Sequence, residues 1–387
     1  MCEHRCRKSG FQAAILAFLT LLCGATLAGL PLDSRVGGYY KNLLIASRTL
    51  PFFGPRESYV VDLNRLRVRL NGGVGAYVSF DIQYDNEILL GSYLDTQQFK
   101  VLDALERDTY FNWEGTYLDR GGIQGRHRLY RASLSFAGER AGLRIGRQRL
   151  AWGTALFWNP VDILNPFNPI QLEREEREGV DAMLFTWDYG DLSRLSLVRA
   201  RQRDGGSSAL RWRSHWSGFD LALTAGRFTG DNMMGFDFAG QLGLIGLRGE
   251  VTRTESREDG GYTRLVLGAD RSFANTLTLN MELYFNGQGR GDAAEYDFGR
   301  LLRGEILSLA RYYGGFYLAF DLTPILRWDN FLIVNLDDHS RFFSPRLVFS
   351  PTGNIDLSLG MQYFEGPGAS EYGTLENIIY GELQGFY

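Results

Sequence analysis

Arg65, Arg67 and Arg69 recur at every second residue, interleaved with Leu66, Val68 and Leu70. On an extended strand this spacing puts three guanidiniums on one face and the apolar side chains on the other. Arg211 and Arg213 repeat the pattern around Trp212, Arg199 and Arg201 run on towards Arg203, and Arg131 and Arg144 join them by the same argument. A guanidinium stays charged and grips carboxylates or phosphates through paired N–H donors. This is recognition chemistry rather than covalent chemistry. Acidic partners are present in Asp81, Asp162 and Glu282 and in the run Glu173-Arg-Glu-Glu-Arg-Glu178, which holds Glu175 and Glu176. After residue 28 the only lysines are Lys41 and Lys100. Genomic base composition alone would also produce that bias towards arginine.

Residues for covalent chemistry are sparse. The cysteines are Cys2, Cys6 and Cys23, and the histidines after residue 28 are His127, His215 and His339. His215-Trp-Ser217 has the His-x-Ser spacing of an outer-membrane phospholipase, but it falls at a predicted turn with no acidic partner evident in the sequence. No His/Asp/Glu spacing suggests zinc, and no glycine-rich loop leads from a strand into a helix. We therefore expect no catalytic residue, metal or cofactor. Setting aside Glu3, Arg5, Arg7 and Lys8 moves the net charge from −4 to −6, which is not the balance of a nucleic-acid binder.

The elements that must hold these side chains read as strands. Alternation holds phase through Val74–Tyr84, Thr276–Asn286 and Ile355–Phe364, about ten residues each, the span of a tilted transmembrane strand. Aromatic residues at 14% and 47 glycines suit a barrel with girdles and tight turns. Short turns are expected at Asn71–Gly73, Ala137–Ala141, Tyr189–Leu192, Trp216–Gly218, Ser272–Asn275 and Ser350–Asn354. Longer connections are expected near 86–125, 151–178, 228–234, 288–308 and 365–375. Short turns on one side and long loops on the other are the asymmetry of an outer-membrane barrel. The reading is all-β: a single antiparallel transmembrane barrel of about eighteen strands, sixteen being the alternative. Tyr40–Leu50 is taken as the first strand, and the crossing at Gly235–Gln241 is weakly marked.

The ends agree with this. His4, Arg5, Arg7 and Lys8 precede an apolar run from Phe11 to Leu22, and Thr26-Leu-Ala28 fits a cleavage site, so residues 1–28 read as a secretory signal and 29–387 as the barrel. Leu21-Leu-Cys23-Gly24 is a poor lipidation motif. The last strand closes on Phe386-Tyr387 and resembles the recognition strand of bacterial outer-membrane barrels. Ile379, Leu383 and Tyr387 form one face of it and Tyr380, Glu382, Gln384 and Phe386 the other. Ile145-Gly-Arg-Gln-Arg-Leu-Ala-Trp-Gly153, Trp158-Asn-Pro-Val-Asp162, Asn335-Leu-Asp-Asp-His-Ser340 and Gly366–Gly373 resemble alginate-export-like and related outer-membrane porins.

What these resemblances imply is a porin: passive diffusion of small hydrophilic, anionic or sugar-acid solutes across the outer membrane. In general porins the third outer loop folds inward and makes the constriction. By that likeness Asp162, Glu173, Glu175, Glu176 and Glu178 line it; the alternative is a solvated cap outside the barrel. Arginine facing lipid at mid-depth costs roughly 2–4 kcal/mol, so Arg65, Arg67, Arg69, Arg131, Arg144, Arg199, Arg201, Arg211 and Arg213, with Asp81 and Glu282, are expected to line the pore. They either create a transverse field that selects charged solutes or neutralise one another and stiffen the barrel. Two other functions stay open: a sheath around a periplasmic or multihaem cytochrome partner, and a surface adhesin or capsule-assembly barrel. Expected partners are outer-membrane lipid and lipopolysaccharide, the barrel-assembly machinery and small solutes, with no nucleic acid.

Overall fold

A computed structural model describes residues 32–105, 109–166, 168–173, 179–203 and 205–387. The signal-peptide segment, 1–28, lies outside the described residues. Eighteen strands pair antiparallel with their neighbours, and the ring closes where the first strand, β1 (Leu32–Arg48), pairs with the last, β19 (Ile378–Phe386), over eight residue pairs from Tyr39–Phe386 to Ala46–Ile379. Closure leaves no open edge, so the ladder satisfies the backbone of the whole wall, as a sheet in lipid requires.

The nineteenth strand, β4 (Glu114–Arg120), is an addition to the ring. It pairs with the upper part of β5 (Ile123–Ala137), while β6 (Ala141–Gln148) pairs with the lower part and β3 (Val78–Leu90) runs along the other edge of β5. Several boundaries differ from the sequence expectation. β1 starts at Leu32 rather than Tyr40. Asn71–Gly73 lies inside β2 (Ser58–Val74), and the turn falls after it, at 75–77. The stretch 228–234 is a two-residue turn between β10 (Phe219–Phe228) and β11 (Asp231–Leu242), so the weakly marked crossing is a full strand. In each case glycine and asparagine read as turn residues, whereas a long ladder carries them within a strand.

Side chains alternate across the wall. On β2, Val61, Leu63, Arg65 and Arg67 are buried while Val60 and Leu66 are exposed. The outward leucines stay bare all round the ring: Leu283 is 63% exposed and Leu359 62%. Apolar bands of that extent belong against lipid tails. The hairpin turns on the side of the two termini are short. Ser217 (φ 50°) and Gly218 (φ 84°) join β9 (Gly205–Trp216) to β10, two left-handed residues whose twist matches that of the strands they connect.

Candidate functional site

The lumen is organised by the segment 149–173, between β6 and β7 (Val180–Gly190). It turns inward and touches three sectors of wall in succession. Leu150 and Leu164 pack with Val198, Ala209, Phe228 and Met233 on β8 to β11. Phe157 and Trp158 cross to Val266, Tyr284, Tyr313, Ile333 and Phe342, with Trp158 stacked on Tyr284 at 5.1 Å. Leu172 reaches the cluster of Leu43, Val61, Leu63 and Leu89 on β1 to β3. Pro160 and Pro166 suit this course, because helix is disfavoured where the backbone must offer its amides sideways.

Those amides are held by two wall carboxylates. Glu250, on β12 (Ile245–Ser256), accepts from Thr154 N at 2.6 Å and from Ala155 N and Val161 N at 3.1 Å. Glu282, on β14 (Thr278–Asn286), accepts from Leu156 N at 2.5 Å and Phe157 N at 2.9 Å. Glu282 was expected as pore lining. It sits inside the barrel as a bracket for the loop, fully buried beneath it. Asp162 is also buried and accepts from Asn165 N at 3.3 Å. Glu173 is bidentate to Arg65, at 2.7 and 3.0 Å, and lies 3.3 Å from Lys41 Nζ. Glu175, Glu176 and Glu178 lie outside the described residues.

The arginines divide into two groups. Arg65 and Arg67 face inward and pair with Glu87 and Asp85, each at 2.6 Å. Arg211 faces inward on Asp237 at 2.7 and 2.8 Å. Arg69 and Arg213 share their inward phase nearer the short turns. Arg131 and Asp81 lie on the inward phase of adjacent strands, where Arg131 pairs with Gln83 and Asp81 with Ser133, and Arg144 donates to Ser135 at 3.0 Å. Arg199 and Arg201 do not join them. On β8 (Ser193–Gln202) they alternate with buried Val198, Ala200 and Gln202 and share the face of exposed Leu197, so they point out of the barrel. They sit at the loop end of the strand, where an outward guanidinium clears the lipid tails and carries no mid-depth cost.

Sequence reasoning missed half of the inward cluster. Arg126 donates to Glu87 at 2.6 Å, and Arg128 lies 3.6 Å from Glu87 and 3.7 Å from Asp85. The signal was present in Asp85-Asn-Glu87 and Arg126-His-Arg128, two period-two pairs at the edges of the stretch 86–125, which was read as a loop although β3 runs on to Leu90 and β5 begins at Ile123. Just below these facing pairs the ladder slips by one residue at Gln83/Tyr84, and the extra residue opposite is Tyr130. Its ring is 3.8 Å from the Arg67 guanidinium, 5.3 Å from that of Arg128 and 5.2 Å from that of Arg131, within cation–π range.

Above the inward loop is a water-accessible cavity of about 1180 Å³, lined by Arg65, Arg67, Arg126, Arg128 and Tyr130 on one side and by Asp162, Pro166 and Glu173 of the loop on the other. Arg264, Arg300 and Asp259 line it further round. Among the described residues, eight arginines and six carboxylates border it. His215, expected to lack an acidic partner, has one: Asp220 Oδ1 is 3.0 Å from its Nδ1, at the short turn. Both residues lie on the rim opposite the loops, away from this cavity.

No family model matches this chain, and no curated protein does. Solved structures do match, over nearly the whole described barrel. OccK5 (OpdH) of Pseudomonas aeruginosa superposes with a TM-score of 0.58 at 10% identity, covering 92% of this chain and 97% of that one. OpdK of the same organism, an outer membrane protein also solved with vanillate, gives 0.57 at 8–9% identity over 92% and 98%. OccAB2 of Acinetobacter baumannii gives 0.56 at 11% over 92% and 98%. The fold is that of outer-membrane porins. The narrower likeness to alginate-export-like porins gains nothing from these matches. Within this chain, the motif Ile145–Gly153 that suggested it is the place where β6 ends and the inward loop departs.

Proposed function

We propose that the chain is a passive channel of the bacterial outer membrane, exported by its leader and open to small hydrophilic solutes, with a preference for anions such as sugar acids. The observation that carries this reading is the cavity of about 1180 Å³ at the loop end, bounded by Arg65, Arg67, Arg126 and Arg128 and floored by the inward loop. Arg65 and Arg67 are spent on Asp85, Glu87 and Glu173. Arg126 retains the most exposed guanidinium of the four, with 27% of its side chain accessible. A solute carboxylate entering the cavity meets donors whose own partners are already shared, which favours transient rather than tight engagement.

The inward loop also weighs against the sheath reading. Phe157, Trp158, Leu164 and Leu172 occupy the space that a periplasmic or cytochrome partner would need. Barrel-assembly machinery that recognises a terminal aromatic strand would engage β19 through Phe386 and Tyr387. The test is conductance of the folded barrel in a planar bilayer under a salt gradient. We expect discrete steps and a reversal potential of anion-selective sign that shrinks in Arg126→Ala/Arg128→Ala. Silence from a folded barrel, or cation selectivity unchanged by that pair of substitutions, would sink the proposal.

A further inference from the structure

The cavity has a roof as well as a floor. The segment 288–308, between β14 and β15 (Tyr312–Thr323), brings Arg300, Arg303, Glu305 and Leu307 to its lining. The roots of this segment meet at a neck, where Arg290 N donates to Leu309 O at 2.9 Å. Beyond the neck the chain braces itself. Asp292 accepts from Ala294 N at 2.9 Å and opens the turn Ala293–Glu295. Asp297 accepts from Arg300 N at 3.0 Å and opens the short helix Phe298–Leu302.

That helix is held between two turns at nearly opposite points of the ring. Arg300 is bidentate to Asp259, in the turn that follows β12, at 2.8 and 2.9 Å. Close by on the same helix, the Phe298 ring lies 5.0 Å from that of Phe52, in the turn between β1 and β2. Eight strands of the ring separate these turns one way round, from β13 (Gly260–Ser272) to β1, and ten the other. A segment rooted at β14 and β15 touches both by lying across the outer mouth.

The two holds differ in strength. The Arg300–Asp259 pair is a forked, charge-assisted bond, the strong kind. The other is a single tilted ring contact in which Phe52 stays 42% exposed, the weak kind. Phe52 itself stands on a fixed post: Leu50 N donates to Gln98 Oε1 at 2.7 Å, and Arg56 pairs with Glu376 at 2.9 Å. On the other side of the contact, Gly304 sits at φ 73° with open space around its α-carbon, a backbone able to absorb a change of direction. The weakest joint of this assembly is therefore the one between the rings.

We propose that 288–308 is a lid over the outer mouth, hinged beside Asp259 and latched by Phe298 on Phe52, and that parting of the latch admits solute to the cavity. The inference rests on reading the cavity as the entrance of a channel. No cysteine follows Cys23, so introduced ones report cleanly. Gln171 is exposed on the floor of the cavity. In intact cells, a bulky water-soluble maleimide should label Gln171→Cys slowly. Adding Phe298→Ala, or Phe52→Ala, should speed that labelling by roughly 2- to 10-fold, the factor by which loss of one ring pair shifts an opening equilibrium. Asp119→Cys, on β4 and exposed, should label equally with and without the latch. In a planar bilayer, Phe52→Cys/Phe298→Cys joined by a short bis-thiosulfonate linker should conduct severalfold less than the same protein after reduction. Labelling of Gln171→Cys that ignores the latch, failure of the cysteine pair to link, or a linked channel that conducts like the reduced one would each overturn the lid. A folded barrel that passes no current yet labels faster without the latch would keep the lid and remove the channel reading alone.

Discussion

Glu250 and Glu282 are the residues that hold the inward loop to the wall. Five backbone amides of the inward loop converge on their four oxygens, and each buried amide left without an acceptor costs about 1–3 kcal/mol. Glu250→Ala/Glu282→Ala should therefore release 154–161 from the wall while the ladder stays intact. The expected result is a single-channel conductance raised severalfold with frequent flicker. An unchanged conductance in a folded variant would show that the apolar packing of Phe157 and Trp158 holds the loop unaided. The two carboxylates were visible in the sequence only as polar-phase residues. That their partners are backbone amides from a segment about a hundred residues away could not be read from types and spacing, because every residue has an amide. The arginine spacing was legible for Arg65, Arg67 and Arg211. It failed for Arg199 and Arg201, because period two says that side chains share a face and is silent on which face.

At the scale of elements, the loop joining β18 (Ile355–Glu365) to β19 is fastened by Glu371, which accepts from Leu309 N at 3.1 Å, Tyr313 Oη at 2.6 Å and Asn335 Nδ2 at 2.9 Å. Burial raises its pKa from 4.5 to about 7, against the pull of those donors. A carboxyl group whose pKa rises on folding stabilises the folded arrangement fully below its unfolded pKa and loses that contribution as the pH climbs through the folded one. The attachment should be firmest below about pH 4.5 and weaken towards pH 7 and beyond. Hydrogen exchange at the Leu309 amide should accelerate between pH 5 and pH 8 beyond the intrinsic rate, and Glu371→Gln should remove that excess. Equal excess in both proteins would refute the assignment. Asp259, in the turn that follows β12, behaves oppositely: its bidentate bond to Arg300 holds the carboxyl below its usual value, so that contact persists across the same range. Strand existence was readable from alternation along most of the ring, least so at 235–241, and the phase read through Val74–Tyr84 crosses the turn at 75–77. β4 was not, since a seven-residue strand with partners on one edge carries too short a pattern to separate from its loop.

For the whole molecule, closure matters most. Tyr387 completes the seam with its backbone bonded both ways to Gly38, at 3.0 and 3.2 Å, and its hydroxyl donating to Arg67 O at 2.9 Å. Deleting Tyr387 should lower the temperature at which the barrel loses its compact gel mobility by several degrees, whereas Tyr387→Phe, which sheds one hydrogen bond, should lower it less. No difference between the two would assign the seam to β-pairing alone. Number of strands, handling of the edge and direction of the termini all follow from wall geometry, which is why a barrel of about eighteen strands could be counted from sequence. What fills the interior could not be, because the lumen has no periodicity of its own.

The inward loop also has a mechanical consequence. A closed sheet this wide is a hoop, and a hoop bends most easily by going oval, a deformation that stretches no hydrogen bond. Anchorage at β8–β11, at the strands from β13 (Gly260–Ser272) to β17 (Arg341–Thr352) and at β1–β3 makes the segment 149–173 a set of spokes. Lateral load on the wall is then carried across the lumen as well as around it, and the cross-section of the barrel is held by the same few side chains that fill it.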